Sequence, residues 1–302
     1  MRCFDVQVNG AFGVDFSAPD LTGDQFLRTA EKILQAGVTR FLPTVITSSM
    51  AVYQKNLPCI VKAVEKAGLT YEIPGFHLEG PFISGEPGAV GAHPKECVLP
   101  ATLENLQNLY ELADGKVLLM TIAAELPGAN ELAEQASKMN ICISLGHQLA
   151  NGEQIRQISS AKALTHLGNG IPNMINRHHN PIWSGLADDK LTALFITDGH
   201  HLPAEVIQCF IRCKGADKLI VTSDASSAAG LPPGRYSVLG NDAVLDVSGK
   251  LYNPEKQCLV GSASLMPQCI QFLKNLQLVS DDELEKMVWY NPHQLLGMQL
   301  SV

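Results

Sequence analysis

The sequence predicts a (β/α)8 barrel, and three observations carry that expectation. Short apolar runs alternate with amphipathic helical patterns from one end of the 302 residues to the other. Eight such runs are present, apolar on both faces as buried parallel strands are. No GxGxxG follows the first run, which disfavours the rival architecture, a doubly wound open sheet.

Residues 3–9 (CFDVQVN) read as the first strand. DLTGDQFLRTAEKILQAG reads as a helix with Thr22 as N-cap, Gln25 at the capping-box position and Gly37 as terminator. VTRFLPTVIT is the second strand, and SMAVYQKNLPCIVKAVEKAG a helix with a kink or late start expected at Pro58. IPGFHLE is the third strand, followed by a Gly/Pro-rich loop to about residue 100. The pairs TLENLQNLYELADG with KVLLMTIAAE, NELAEQASKMN with ICISLGH, and GEQIRQISSA with ALTHLGN supply the next three helices and strands. A loop rich in His and Asn then leads to strand TALFITD, helix PAEVIQCFIRCKGA and strand KLIVTSDA. GRYSVLGNDAVLDVSGKLY alternates with Gly turns and reads as a hairpin around residues 234–254, inserted between the eighth strand and its helix. Helices SASLMPQCIQFLKNLQ and SDDELEKMVWYNPHQLLG complete one barrel domain over residues 1–302.

Composition narrows the function. Apolar residues make up 46%, enough for a large core, and the net charge of −8 with no Lys/Arg run longer than two argues against nucleic acid. No apolar run reaches about 18 residues and MRCFDVQVNG lacks a signal-peptide core, so a membrane is not an expected partner and a cytoplasmic protein is expected. The eight cysteines are scattered without a CxxC pair and read as buried, reduced thiols. Cys209 and Cys213, at i and i+4 on a helix, are the one pair spaced to seat a metal.

The polar residues fall at strand ends: Glu79 on the third, His147 on the fifth, His166 on the sixth, Asp198 on the seventh and Asp224 on the eighth. In a barrel these ends converge on the mouth that carries the active site. Two imidazoles and a carboxylate hold a catalytic divalent metal with a position left open for water, so Glu79, His147 and His166 are the expected ligands. Asp224 is the expected general acid and base. Asp198 reads equally as a helix cap or loop anchor, His77 as support behind Glu79, His178 and His179 as solvated, and His293 as a surface residue.

The stretches DVQVNGAFGVDFS, HLEGPFI with GAH, SLGH, THLGNGIP, DGHHL, VTSDASSAAG and LVGSASLM span nearly the whole chain. In that order they resemble the N-acetylglucosamine-6-phosphate deacetylases of the amidohydrolase superfamily. The resemblance implies one divalent metal, commonly zinc, on Glu79, His147 and His166, with Asp224 as acid and base. It also implies that Ala92, His93, Asn169, Gly170, His201, Leu259, Val260 and Gly261 line the sugar site. Arg177, eleven residues after His166, matches an arginine that reaches the substrate phosphate of a neighbouring subunit, so a homodimer is implied.

Three departures from the family's pattern matter. Gln7-Val8-Asn9 stands where many superfamily members carry HxH, and amides are poor zinc ligands, so one metal is expected rather than two. The family's small β-sandwich, built from both chain ends, is expected to be absent. The NMINRHHNPIWSG loop differs around Arg177 from the family's Arg-acid-Pro-Gly run. The expected activity is hydrolysis of the acetamide of an amino sugar, with a 6-phosphorylated substrate as the first choice. The alternatives are an amidohydrolase acting on another amide or cyclic amide, and a barrel that binds a sugar without turnover. Asp224 argues against the last, because binding alone needs no proton shuttle.

Overall fold

The computed structural model describes residues 1–256 and 258–300. Eight strands pair in sequence order as one parallel sheet: β1 (Phe4–Val8), β2 (Arg40–Ile46), β3 (Phe76–Glu79), β4 (Val117–Ile122), β5 (Cys142–Leu145), β6 (Ala161–Leu164), β7 (Thr192–Ile196) and β8 (Leu219–Thr222). The seam between β1 and β8 is drawn together at the end of β1 and just past the end of β8, where Val8 and Ala225 form a parallel bridge and Asn9 N donates to Ala225 O at 2.7 Å. Asp5 fastens the same seam from inside. Its fully buried carboxylate accepts from Thr222 Oγ1 at 2.8 Å, from Ser223 N at 3.2 Å and from Ser223 Oγ. Burial pushes this carboxyl up to about 6 against the pull of those hydrogen bonds. The (β/α)8 expectation is met.

Helices α1 (Gly23–Gln35), α2 (Met50–Ala67), α3 (Leu103–Leu112), α4 (Ala129–Lys138), α5 (Gly152–Gln157), α6 (Pro181–Ala187) and α7 (Ala204–Lys214) connect these strands. Thr22 caps α1 in a complete capping box with Gln25, as its sequence predicts. Helix α2 does not start late: it is one unbroken helix from Met50. It runs through Pro58 with Leu57, Ile60, Val61 and Val64 buried, and Asn56 ties it to Phe16 O and Ala18 O at 2.9 Å. Burial along that face outweighs the one backbone hydrogen bond a proline removes. Where the His- and Asn-rich stretch predicts only a loop, helix α6 follows β6: Asn180 Oδ1 accepts from Ile182 N and Trp183 N, and Pro181 occupies the first turn.

After β8 the chain builds a four-stranded antiparallel sheet from β9 (Gly234–Val238), β10 (Asn241–Leu245), β11 (Leu251–Asn253) and β12 (Cys258–Leu259). Val238, Ala243, Leu245, Leu251 and Val260 pack under it against Ile46 and Ala228 from the barrel. Helix α8 (Met266–Leu276) returns to the barrel wall, and α9 (Asp281–Glu285) continues through one π turn, Lys286–Tyr290, into α10 (Asn291–Leu295). No described helix is long and apolar enough to cross a membrane.

Two expectations need correction here. His293 is buried, not on the surface: its Nδ1 donates to Trp289 O at 2.6 Å and its Nε2 accepts from the buried Arg40 at 2.8 Å. Satisfying both ring nitrogens is what admits an imidazole to the interior. The cysteines are all free, but only Cys3, Cys142 and Cys269 are buried; Cys209 and Cys213 lie exposed on α7 with no third ligand gathered to them among the described residues.

Candidate active site

A cavity of about 1350 Å³ opens at the C-terminal ends of the barrel strands, the position active sites of this architecture occupy. Its floor is the meeting of Glu79, His147 and His166, each no more than 5% exposed. Strand β3 delivers Glu79 directly. Strands β5, β6 and β8 end earlier than their sequence suggested, at Leu145, Leu164 and Thr222, each two residues before the site residue His147, His166 or Asp224. The reason is local: His147, His166 and Asp224 take positive φ values of 49°, 26° and 51°. A left-handed residue leaves the strand ladder and turns its side chain across the mouth, at an order of 1–3 kcal/mol each that the surrounding packing must offset.

Glu79 Oε1 lies 2.9 Å from His166 Nε2 and 3.2 Å from His147 Nε2, and the two imidazole nitrogens are 3.0 Å apart. His147 Nδ1 sits 2.7 Å from Ala89 O and must donate to it, which leaves its Nε2 a bare lone pair aimed at the other two atoms. Two nitrogens and a carboxylate oxygen so close, buried together, need a positive charge among them. This donor set suits a divalent cation with an open position, and the residues fit it. The electrostatics agree. Burial works to raise the Glu79 carboxyl, yet the ring nitrogens of His147 and His166 against it outweigh burial and hold it well below the usual carboxylate range, as positive charge shared among these atoms does. Burial likewise pulls His166 down, and Glu79 more than reverses this, so the site favours a bound positive charge.

His93, expected only as a sugar-site residue, belongs to the same convergence. Its Nε2 is 3.9 Å from Glu79 Oε2 and its ring centroid 4.3 Å from that of His147. Thr47 N donates to its Nδ1 at 3.3 Å, so Nε2 carries the hydrogen. Burial, then the neighbouring His147, pushes its pKa down to about 3, and the ring is neutral. Glu79, His93 and His147 together also satisfy the geometry of a metal-holding group.

Asp224, 8% exposed, stands beside this cluster. Its Oδ1 accepts from Gln7 Nε2 at 2.9 Å and from Asn9 Nδ2 at 2.7 Å, and Gln7 Nε2 also donates to Glu79 Oε1 at 2.8 Å. The two amides therefore act as donors that hold carboxylates, a role sequence reasoning missed when it treated them as weak ligands. Burial first, then the charge of Glu79, raises Asp224 to about 7. Asp198 is a loop anchor: its Oδ1 accepts from His200 N and His201 N at 2.9 Å, and its Oδ2 from His201 Nδ1 at 2.8 Å and Ser262 Oγ at 2.9 Å. That carboxylate orients His201, whose side chain faces the cavity.

Ala92, Asn169, Gly170, Leu259 and Gly261 also line the cavity. Gly170 has φ +62°, and a Cβ there would lie 3.0 Å from His147 Nδ1 and 3.1 Å from His166 Cε1, so only glycine lets this loop close over the two imidazoles. Val260 is fully buried beneath the small sheet, outside the cavity lining. Arg177 is exposed on the loop before α6, where its carbonyl accepts from Trp183 Nε1 at 2.9 Å, and it does not line the cavity of its own chain. His178 and His179 are exposed. His77 lies one layer lower in the barrel, its Nε2 2.8 Å from Thr121 Oγ1, in a hydroxyl chain through Thr165 to Ser144 rather than on Glu79.

An eight-stranded parallel barrel whose mouth gathers a carboxylate, imidazoles and a second carboxylate defines an amidohydrolase. No protein-family model matches the chain. It is 35% identical to the N-acetylglucosamine-6-phosphate deacetylase of Bos taurus, over 98% of this chain and 73% of the relative. It is 28% identical to the N-acetylgalactosamine-6-phosphate deacetylase of Escherichia coli O157:H7, over 97% and 77%. The crystal structure of N-acetyl-D-glucosamine-6-phosphate deacetylase from Mycobacterium smegmatis superposes with a TM-score of 0.88 at 26% identity, covering 98% of this chain and 78% of that one. A mutant of the same enzyme, solved in complex with N-acetyl-D-glucosamine-6-phosphate, gives 0.88 at 25% identity, covering 98% and 77%. The chain belongs to the N-acetylglucosamine-6-phosphate deacetylase family.

Proposed function

We propose that the protein hydrolyses the acetamide of N-acetylglucosamine 6-phosphate to the free amine and acetate. The observation that carries this reading is the placing of Asp224 against the Glu79–His147–His166 cluster in one cavity, a proton acceptor beside a cation site. A divalent ion on Glu79, His147 and His166, zinc being the one this donor set suits, supplies a Lewis acid for the amide oxygen and lowers the pKa of water. Asp224 takes a proton from the attacking water as the new C–O bond forms. It then returns that proton to the sugar nitrogen as the C–N bond breaks, so one carboxyl serves as base and then as acid. Held by Gln7 and Asn9, its Oδ1 is committed, and Oδ2 is the oxygen left to exchange the proton. His93 Nε2–H is a neutral donor for the oxygen on which charge develops. His201, fixed by Asp198, is a hydrogen-bonding group for the sugar.

We read residues 1–302 as one catalytic unit, the small sheet being an insertion after β8. A cytoplasmic location is supported by eight unpaired thiols. Acetate release from gluco- and galacto-configured 2-acetamido sugars, each with and without 6-phosphate, tests the substrate. The 6-phosphorylated gluco sugar should have the highest kcat/KM, and a preference for an unphosphorylated sugar would contradict the reading.

Arg177 lies on an exposed loop outside the lining of its own cavity, which supports the reading that it serves the phosphate of a second copy of the chain. A homodimer in solution is therefore part of the proposal. Arg177→Ala should raise KM for the phosphorylated sugar about 10-fold, the weight of one charge-assisted hydrogen bond. Sedimentation alongside the kinetics checks it: a monomer, or an unchanged KM, removes Arg177 from the site.

A further inference from the structure

We propose that Lys256, on the wall contributed by the small sheet, is a second phosphate-recognising cation supplied by the same chain that holds the reacting centre. This rests on the reading that the substrate is 6-phosphorylated. A dianion entering this cavity meets the carboxylates of Glu79 and Asp224 on its floor, so its phosphate must be received elsewhere, on a wall that offers positive charge. The lysines that line the cavity are Lys95 and Lys256.

Lys256 is built into its place and Lys95 is not. The backbone of Lys256 is fixed by Asn253, 5% exposed, whose Oδ1 accepts from Lys256 N at 3.0 Å and from Glu255 N at 2.9 Å. Its ammonium is fixed by Asn241, also 5% exposed, whose Oδ1 accepts from Lys256 Nζ at 2.6 Å. Asn241 is in turn immobile, because its Nδ2 donates to Leu239 O at 2.9 Å and to Ala92 O at 3.0 Å. Ala92 precedes His93, so the amide that holds the cation also grips the loop that delivers a residue of the reacting centre. The tether uses one of three ammonium hydrogens on a neutral acceptor, and two remain for an anion. Among the described residues no carboxylate forms an ion pair with Lys256, whereas Lys116, Lys274 and Lys286 are so paired. Both lysines are exposed, and the anchor is the difference: Lys95 lays its stem over Gly85 and its ammonium has no such side-chain partner among the described residues. A cation held in advance loses less freedom on binding than one that must be ordered by its ligand.

The test compares wild type, Lys256→Met and Lys256→Arg in the metal-replete full chain. It measures KM and kcat for N-acetylglucosamine 6-phosphate and for N-acetylglucosamine, and competitive inhibition by inorganic phosphate. Lys256→Met should raise KM for the phosphorylated sugar about tenfold or more, weaken inhibition by phosphate by a similar factor, and shrink the preference for the phosphorylated sugar accordingly. Lys256→Arg should recover most of each. An unchanged KM and unchanged phosphate inhibition, in an enzyme whose wild type strongly prefers the phosphorylated sugar, would overturn the assignment and leave the deacetylase reading standing. A kcat lowered equally on both sugars would also overturn it, by showing that Lys256 acts on the His93 loop and not on phosphate. A wild type without phosphate preference would instead refute the substrate reading, and this proposal with it.

Discussion

Asp224→Asn should lower turnover by roughly 10²-fold or more while leaving the metal content of the protein unchanged. The structure explains why so small a change separates chemistry from binding. Gln7 Nε2 and Asn9 Nδ2 both donate to Oδ1, so an asparagine at 224 must present its carbonyl oxygen to them. Its amino group then occupies the place of Oδ2, where it can donate but cannot take a proton. Neither amide donor is left unpaired, so the fold should tolerate the variant. The pH profile adds a sign. A base must be unprotonated, so wild-type kcat/KM should fall as pH drops through the pKa of Asp224. Burial and Glu79 raise that pKa to about 7, and a cation at the neighbouring ligands would draw it lower. The acid limb should be missing from the residual activity of Asp224→Asn. Near wild-type turnover in the variant would assign the proton transfer to another group.

His147→Ala or His166→Ala should each remove the bound ion and, with it, activity. The wild type should carry about one tightly held divalent ion per chain, because the first-strand positions that would complete a second site are amides whose nitrogens are turned toward Glu79 and Asp224. Each substitution also strips a partner from Glu79, which is 3% exposed, and an uncompensated buried charge costs on the order of 3–5 kcal/mol. A lowered Tm should therefore accompany the loss of metal. Elemental analysis after dialysis decides the matter. Two firmly bound ions in the wild type, or a full complement in either variant, would contradict the ligand assignment.

The barrel was legible because each strand is a short run apolar on both faces and each helix carries its punctuation locally, as Thr22 and Gln25 do for α1. The site was legible because polar side chains at the ends of buried strands have few other reasons to be there. What escaped depended on partners remote in sequence. His293 reads as a surface histidine until Arg40, 253 positions away, takes its Nε2. The hydrogen bonds from Gln7 to Glu79 and Asp224 bridge separations of 72 and 217 residues, and no spacing rule reaches that far. Strand limits at β5, β6 and β8 were misjudged because an apolar pattern does not register the positive φ of His147, His166 and Asp224. Asn241, inside the expected hairpin, and Lys256, just beyond it, look of no account in the sequence, and only the folding of the small sheet against Ala92 brings them to the cavity.

The most direct test of hydrolytic deacetylation is product analysis in ¹⁸O-water with metal-replete protein and N-acetylglucosamine 6-phosphate. If water attacks the acetamide carbon with Asp224 taking its proton, the products are glucosamine 6-phosphate and an equal amount of acetate carrying one oxygen from the solvent. Both products should disappear when the metal is removed by a chelator and return when it is restored. No acetate, or acetate without solvent oxygen, would contradict hydrolysis at this centre.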